Sequence, residues 1–210
     1  MKFILPFFFA IFSTVPALAA TPKPLLEIEK KYVAAKTLEA KFNQTNWVAM
    51  TEVKNDSNGV ITIEHPGKFR WETLNPDKNL LVTDGNKFWF YTPPFEKGDR
   101  GQVIEKKTNE VQSELANLLL SGAFSKVKDL KIEKVSEKIY QLTPKEGSAG
   151  TVKTAQIEIN PKKSLIEKIH LEHEGGNKVD IELKDIKLGQ KYDAAFFRFI
   201  TPSNTDVIKE

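Results

Sequence analysis

Apolar residues recur first at helical spacing and then, almost everywhere, at strand spacing. From Lys23 to about Ala35, Leu25, Ile28, Tyr32 and Ala35 fall on one side of a helix, with Leu26 and Val33 beside them. Glu27, Glu29, Lys30 and Lys31 take the opposite side, so the helix is amphipathic and lies on something apolar. Pro24 suits its first turn, where the missing N–H has no helical partner. The period then drops to two. Leu38, Ala40 and Phe42 alternate with Glu39, Lys41 and Asn43, which predicts a half-buried strand to about Val48. Residues 54–59 read as a polar turn on the strength of Asn58-Gly59.

The stretch from Gly59 to Tyr91 holds three strand-like runs, 60–64, 68–72 and 79–91, the last broken at Asp84-Gly85. Ile61 and Ile63 share a face, and continued alternation puts His65 on it. Pro66-Gly67 ends the ladder, because proline has no N–H to donate and glycine permits a turn. Phe69 and Trp71 then point one way, and Lys68, Arg70 and Glu72 the other. Phe88-Trp89-Phe90-Tyr91 is apolar on both faces, so it needs cover on both sides. Residues 92–109 read as a long loop. A second helix follows, with Asn109 as its cap, Gln112 three residues on, Val111, Leu115, Leu118 and Leu119 as its apolar face, and Gly122 at its end. Residues 130–135, 138–143, 154–160, 165–173 and 178–188 alternate again, and 196–200 is a last short apolar run before a Pro-Ser-Asn turn. The expected fold is α+β and mainly antiparallel β: ten or eleven strands in a strongly curved sheet, with two helices on the concave face. A closed barrel is the alternative.

The first twenty residues stand outside this pattern. Lys2 precedes an apolar run too short to span a bilayer, and Ala17-Leu18-Ala19 supplies a small-x-small cleavage pattern. They read as a secretory leader cut after Ala19. From 210 residues, removal of 19 leaves 191, enough for a single domain over residues 20–210. Lys2 leaves with the leader, so 30 basic residues face 28 acidic ones, interleaved as on solvated surfaces. That balance does not suggest nucleic acid. There is no cysteine, hence no disulfide, no thiol chemistry and no lipid-anchoring cysteine after the leader; an exported, periplasmic protein is expected.

Catalytic constellations are missing from the pattern. His65, His170 and His173 are the histidines, and a spacing of three in a strand puts the last two on opposite faces, which is poor zinc geometry. No G-x-S-x-G elbow and no phosphate-binding glycine loop occurs, and the carboxylates sit on alternating exposed positions. No metal, cofactor or catalytic residue is expected. What remains is an apolar surplus, either a plain core or the wall of a cavity between a curved sheet and its helices.

Two segments carry a resemblance. GVITIEHPGKFRWE followed by LLVTDGNKFWFYTP resembles the LolA family, the periplasmic carriers of outer-membrane lipoproteins. The shared features are a strand ending in x-Pro, a Phe-x-Trp just beyond Pro-Gly, a Val-Thr-Asp-Gly turn, and the aromatic strand after it. LEAKFNQT and the C-terminal DAAFFRFITP also sit where the family has counterparts, and the likeness thins between about Glu96 and Val152. The resemblance implies an incomplete, half-open barrel with a helical lid over a hydrophobic cavity that takes lipoprotein acyl chains. By position, Phe42, Ile61, Ile63, Phe69, Trp71, Phe88 and Phe90 would line the cavity. Leu25, Ile28 and Tyr32 of one helix and Val111, Leu115, Leu118 and Leu119 of the other would face it from the lid. It implies no enzyme activity. The implied partners are lipoproteins, an ATP-driven lipoprotein-releasing complex in the inner membrane, and an outer-membrane acceptor of the LolB type; the carrier itself would be a monomer.

The chain departs from the family pattern at one place. Where well-studied members carry an arginine before the proline that fastens the lid, this chain has His65, and the resemblance makes it the latch candidate. A neutral imidazole offers one donor where guanidinium offers five. Arg70 is the weaker candidate, since alternation puts it on the other face. Two other readings stay open: a lipoprotein-sensing regulatory module of the same fold, which usually needs an extra domain, and a lipocalin-like binder of small hydrophobic ligands, whose early Gly-x-Trp is absent here.

Overall fold

In the computed structural model the described residues are 21–107, 122–124, 130–145 and 150–209. The leader and the second predicted helix, with Val111, Leu115, Leu118 and Leu119, lie outside them. Helix α1, Lys23–Ala35, opens on the Pro22 carbonyl, which accepts from the Leu25 and Leu26 amides at 3.0 and 3.2 Å. It closes at Lys36, whose φ of 65° turns the chain and lets its amide donate to Tyr32 and Val33. Leu25, Ile28 and Tyr32 are its buried residues, as the period requires.

Twelve strands follow: β1 Thr37–Val48, β2 Val53–Glu64, β3 Lys68–Asn75, β4 Asn79–Thr83, β5 Lys87–Thr92, β6 Gly101–Lys107, β7 Leu130–Lys134, β8 Ile139–Pro144, β9 Val152–Asn160, β10 Leu165–His173, β11 Lys178–Leu188 and β12 Thr205–Lys209. They form one sheet in the order β12-β6-β5-β4-β3-β2-β1-β11-β10-β9-β8-β7. Every pairing is antiparallel except β12 with β6. The sheet is open, with β12 and β7 at its two edges, so the closed barrel is not the structure.

Three sequence expectations need correction. Residues 54–59 are not a turn but part of β2, paired residue by residue with β1 from Val53↔Val48 to Glu64↔Thr37. The turn comes earlier, at residues 49–52. Gly59 serves close packing there: a Cβ would stand 2.9 Å from the Phe42 ring and 1.9 Å from the Glu72 carbonyl oxygen. Residues 101–107, expected within a loop, form β6. The chain beyond the last apolar run forms β12, which brings the count to twelve among the described residues.

The segment from β11 to β12 acts as a strap. β11 lies mid-sheet and β12 at an edge, so residues 189–204 cross the face of β1–β6. Along the way Thr37 donates to the Gln190 carbonyl at 2.6 Å and Tyr192 donates to Glu39. A short 3-10 turn, Ala194–Phe197, then buries Phe197 completely, and Phe199 meets Tyr91 with ring centroids 5.0 Å apart. The apolar run expected at 196–200 is therefore packing, not strand.

Candidate functional site

In-register neighbours share a face of a sheet, so the pairing itself assigns the two faces. Ile61 opposes Trp71 and Ile63 opposes Phe69. Trp71 opposes Leu81, Leu81 opposes Phe90 and Thr83 opposes Phe88. Phe90 opposes Ile104. On the other side of Ile61, Ala40 is its partner and Phe42 that of Gly59. The seven residues singled out in the sequence, Phe42, Ile61, Ile63, Phe69, Trp71, Phe88 and Phe90, thus stand on one face, here called the inner face. Trp71 tilts onto Phe42 at a centroid distance of 4.3 Å and lies 6.3 Å from Phe69.

Helix α1 packs on the same face. Leu25, Ile28 and Tyr32 join one buried cluster with Phe42, Ile61, Ile63 and the inner residues of β8–β11. The Tyr32 hydroxyl accepts from the Ile166 amide at 3.0 Å, at a bulge in β10 where the ladder shifts register. Burial pushes the Tyr32 phenol up to about 12, with that amide pulling weakly the other way. Gly122 closes against the helix; a Cβ on it would meet the Tyr32 ring at 2.9 Å.

Burial divides the inner face. Phe42, Ile61, Ile63 and Phe69 are buried, and so are Ile157, Ile159 and Ile166 farther along. Trp71, Leu81, Phe88, Phe90 and Ile104 are only half-buried. The outer face of the same strands has the opposite character. Val82, Trp89 and Val103 are buried there and pack with Leu80, Tyr91 and Phe199. Phe88–Tyr91 is covered on both sides, but more completely on the outer one. Leu81 and Ile104 belong to the inner wall and were not singled out by sequence; their signal was the alternation of Leu80-Leu81-Val82 and of β6, hidden by apolar neighbours on both faces.

A family model described as outer membrane lipoprotein carrier protein LolA matches residues 34–200. An outer-membrane lipoprotein carrier protein of Azotobacter vinelandii is 30% identical over 188 residues, covering 84% of this chain and 83% of the relative. One from Psychromonas ingrahamii is 30% identical over 192 residues, covering 90% and 88%. The chain belongs to the LolA family. Among solved structures, an uncharacterized conserved protein of Thermus thermophilus aligns with a TM-score of 0.54 at 14% identity, over 89% of this chain and 97% of that one, a likeness of fold.

In this LolA family member the two latch candidates occupy different surroundings. The His65 amide donates to the carbonyl of Lys36, the residue that ends α1, at 2.7 Å. The residue also lines a cleft of about 860 Å³ with Val33, Ala35, Pro66 and Tyr192. Arg70 is in register with Thr62 and Val82, which places it on the outer face. Its guanidinium lies 5.0 Å over the Phe196 ring and donates to the Phe196 carbonyl at 3.4 Å and to Glu72 at 3.2 Å. Arg70 thus anchors the strap, on the side away from α1. His170 and His173 carry no shared site: the first meets Asp180 and the second Thr151.

Proposed function

We propose that this protein is a periplasmic chaperone that carries lipoproteins from the inner to the outer membrane by shielding their acyl chains. Membership in the LolA family, over residues 34–200, is the observation that supports this reading most strongly. Each methylene left in water costs about 0.8 kcal/mol, so a triacylated lipoprotein with on the order of 40 methylenes faces a barrier of about 30 kcal/mol to free transfer. A soluble carrier lowers that barrier by offering apolar surface of its own, and it needs no covalent chemistry; the protein is a carrier and not an enzyme.

The acyl chains lie against the inner face, on Phe42, Ile61, Ile63, Phe69, Trp71, Phe88 and Phe90. The half-buried state of Trp71, Phe88 and Phe90 supports this, since apolar side chains without full cover have area left to give a ligand. Helix α1, through Leu25, Ile28 and Tyr32, and the segment containing Val111, Leu115, Leu118 and Leu119 form the lid over this cavity. His65 works at the hinge end of α1, where its amide already holds Lys36. Residues 1–19 are a cleaved leader and 20–210 the single carrier domain. Loading comes from an ATP-driven inner-membrane complex, and unloading goes to an acceptor of LolB type.

Mass spectrometry of protein purified from its periplasm tests the reading: co-purifying lipoprotein or acyl lipid is expected, and a consistently empty protein would contradict it. A spheroplast assay adds the direction of transfer. Added protein should release lipoproteins from the inner membrane, whereas a sensor of the same fold would bind without releasing.

A further inference from the structure

The joint between α1 and β1 is a single residue, Lys36, and its backbone is strained. Its φ of 65° with ψ of −36° lies outside the left-handed helical well at about +57° and about +47°. A lysine keeps such a conformation only where its surroundings dictate it. On the helix side the Lys36 amide donates to the Tyr32 and Val33 carbonyls at 3.1 and 3.2 Å. On the sheet side the Lys36 carbonyl accepts from the His65 amide at 2.7 Å. The next residue, Thr37, is buried and tied to the start of the strap. Its carbonyl accepts from the Gly189 amide at 3.0 Å, and its hydroxyl donates to the Gln190 carbonyl at 2.6 Å.

The strap carries this tie from one face of the sheet to the other. Two residues after Gln190, the Tyr192 hydroxyl donates to Glu39 on the outer face, and its ring stacks on Phe196 at a centroid distance of 4.7 Å. Phe196 in turn lies under the Arg70 guanidinium. Thr37 therefore links α1 on the inner face to the aromatic anchor of the strap on the outer one. The space beside the link is open. The cleft lined by Val33, Ala35, Thr37, His65, Gly189 and Tyr192 has a volume of about 860 Å³, so the last turn of α1 has room to shift toward it. A strained joint, clamped by the strap and bordered by open space, is built to move when the clamp loosens.

We infer that the strap is an outside handle on α1: loosening it on the outer face releases Thr37, lets Lys36 relax and frees α1 on the inner face. The coupling is a property of the protein without cargo. That its consequence is an opened lid rests on the reading of α1 as the lid.

Amide hydrogen exchange of the purified, cargo-free protein tests the coupling. Phe196→Ala and Tyr192→Phe loosen the strap at half-buried positions of the outer face. Each should speed exchange of the Tyr32–Ala35 amides about tenfold or more, while the amides of Ile157 and Ile169 stay unchanged. Thr37→Val keeps the shape of the side chain and removes the donor. It should speed the same α1 amides by itself, and adding Phe196→Ala should then change them no further. Thr37→Ser, which keeps the hydroxyl, should behave as the unmodified protein. The two strap variants decide the matter even where Thr37→Val does not fold. Faster exchange in the strap with α1 unchanged overturns the inference. So does equal acceleration at Ile157, which would mean a general loosening, or an undiminished effect of Phe196→Ala in the Thr37→Val background. The spheroplast assay then separates the coupling from the lid reading. Strap variants that speed α1 exchange should also change lipoprotein release; coupled exchange with unaltered release would contradict α1 as the lid and leave the coupling standing.

Discussion

Two halves of one sheet bury opposite faces. Along β8–β11 the inner face is the core: Tyr140, Leu142, Ile157, Ile159 and Ile169 are all at most 1% exposed and pack with α1. Their outer neighbours are polar, as in the ladder where Gln156 donates to Gln141 at 2.7 Å. Along β3–β6 the outer face holds a core of its own, Val82, Trp89 and Val103, covered by the C-terminal strap. The inner face there, with Trp71, Leu81, Phe88, Phe90 and Ile104, keeps partial exposure. The strap thus supplies stability from outside and frees the inner wall from that task. A binding wall with an apolar surface needs such a division, because side chains committed to the core have nothing left to offer a ligand.

The division makes separable predictions. Phe197→Ala removes the strap's fully buried ring and should cost about 3–5 kcal/mol in urea unfolding. A cost near zero would show that the strap is not what holds β3–β6. Ile157→Ala, in the packed half, should cost about 2–5 kcal/mol by the same measurement. Tyr32→Phe leaves the Ile166 amide without its acceptor and should cost about 1–3 kcal/mol. It should also change the alkaline limb of stability. The folded phenol titrates near 12 and the unfolded one near 10, so above pH 10 the unfolded chain releases protons first and stability falls. The slope approaches about 1.4 kcal/mol per pH unit up to 12. Tyr32→Phe should remove that share and retain whatever Tyr192 contributes, whose phenol is also pushed up to about 12, by burial and by Glu39. Phe90→Ser should change stability least, by about 1 kcal/mol or less, yet lower lipoprotein release from spheroplasts several-fold. A large stability loss there would merge the two halves into one core.

What the sequence disclosed follows the range of the forces involved. The α1 stripe and the Ile61/Ile63 and Phe69/Trp71 alternation were legible because each element buries one face of a regular period. Residues 54–59 were not. They are polar and mostly exposed, and pairing with β1, not burial, makes them a strand. Gly59 misled for a related reason: it avoids the Phe42 ring, which lies 17 positions away in sequence and whose place is set by pairing. β12 was hidden because its partner β6 is reached only after the strap crosses the sheet, and Val207 and Ile208 remain partly exposed. Among the candidate site residues, the inner face could be read from alternation. The separation of Arg70 from His65 became definite only with the register, which sets Arg70 under Phe196.

The most direct test uses two adjacent residues. A photo-crosslinking amino acid placed at Phe90, on the inner face, and separately at Tyr91, on the outer, reads which face meets cargo in the loaded protein. Capture of lipoprotein acyl chains from position 90 and not from 91 is the predicted result. Equal capture from both, or capture from 91 alone, would contradict the assignment of the inner wall as the acyl-binding surface.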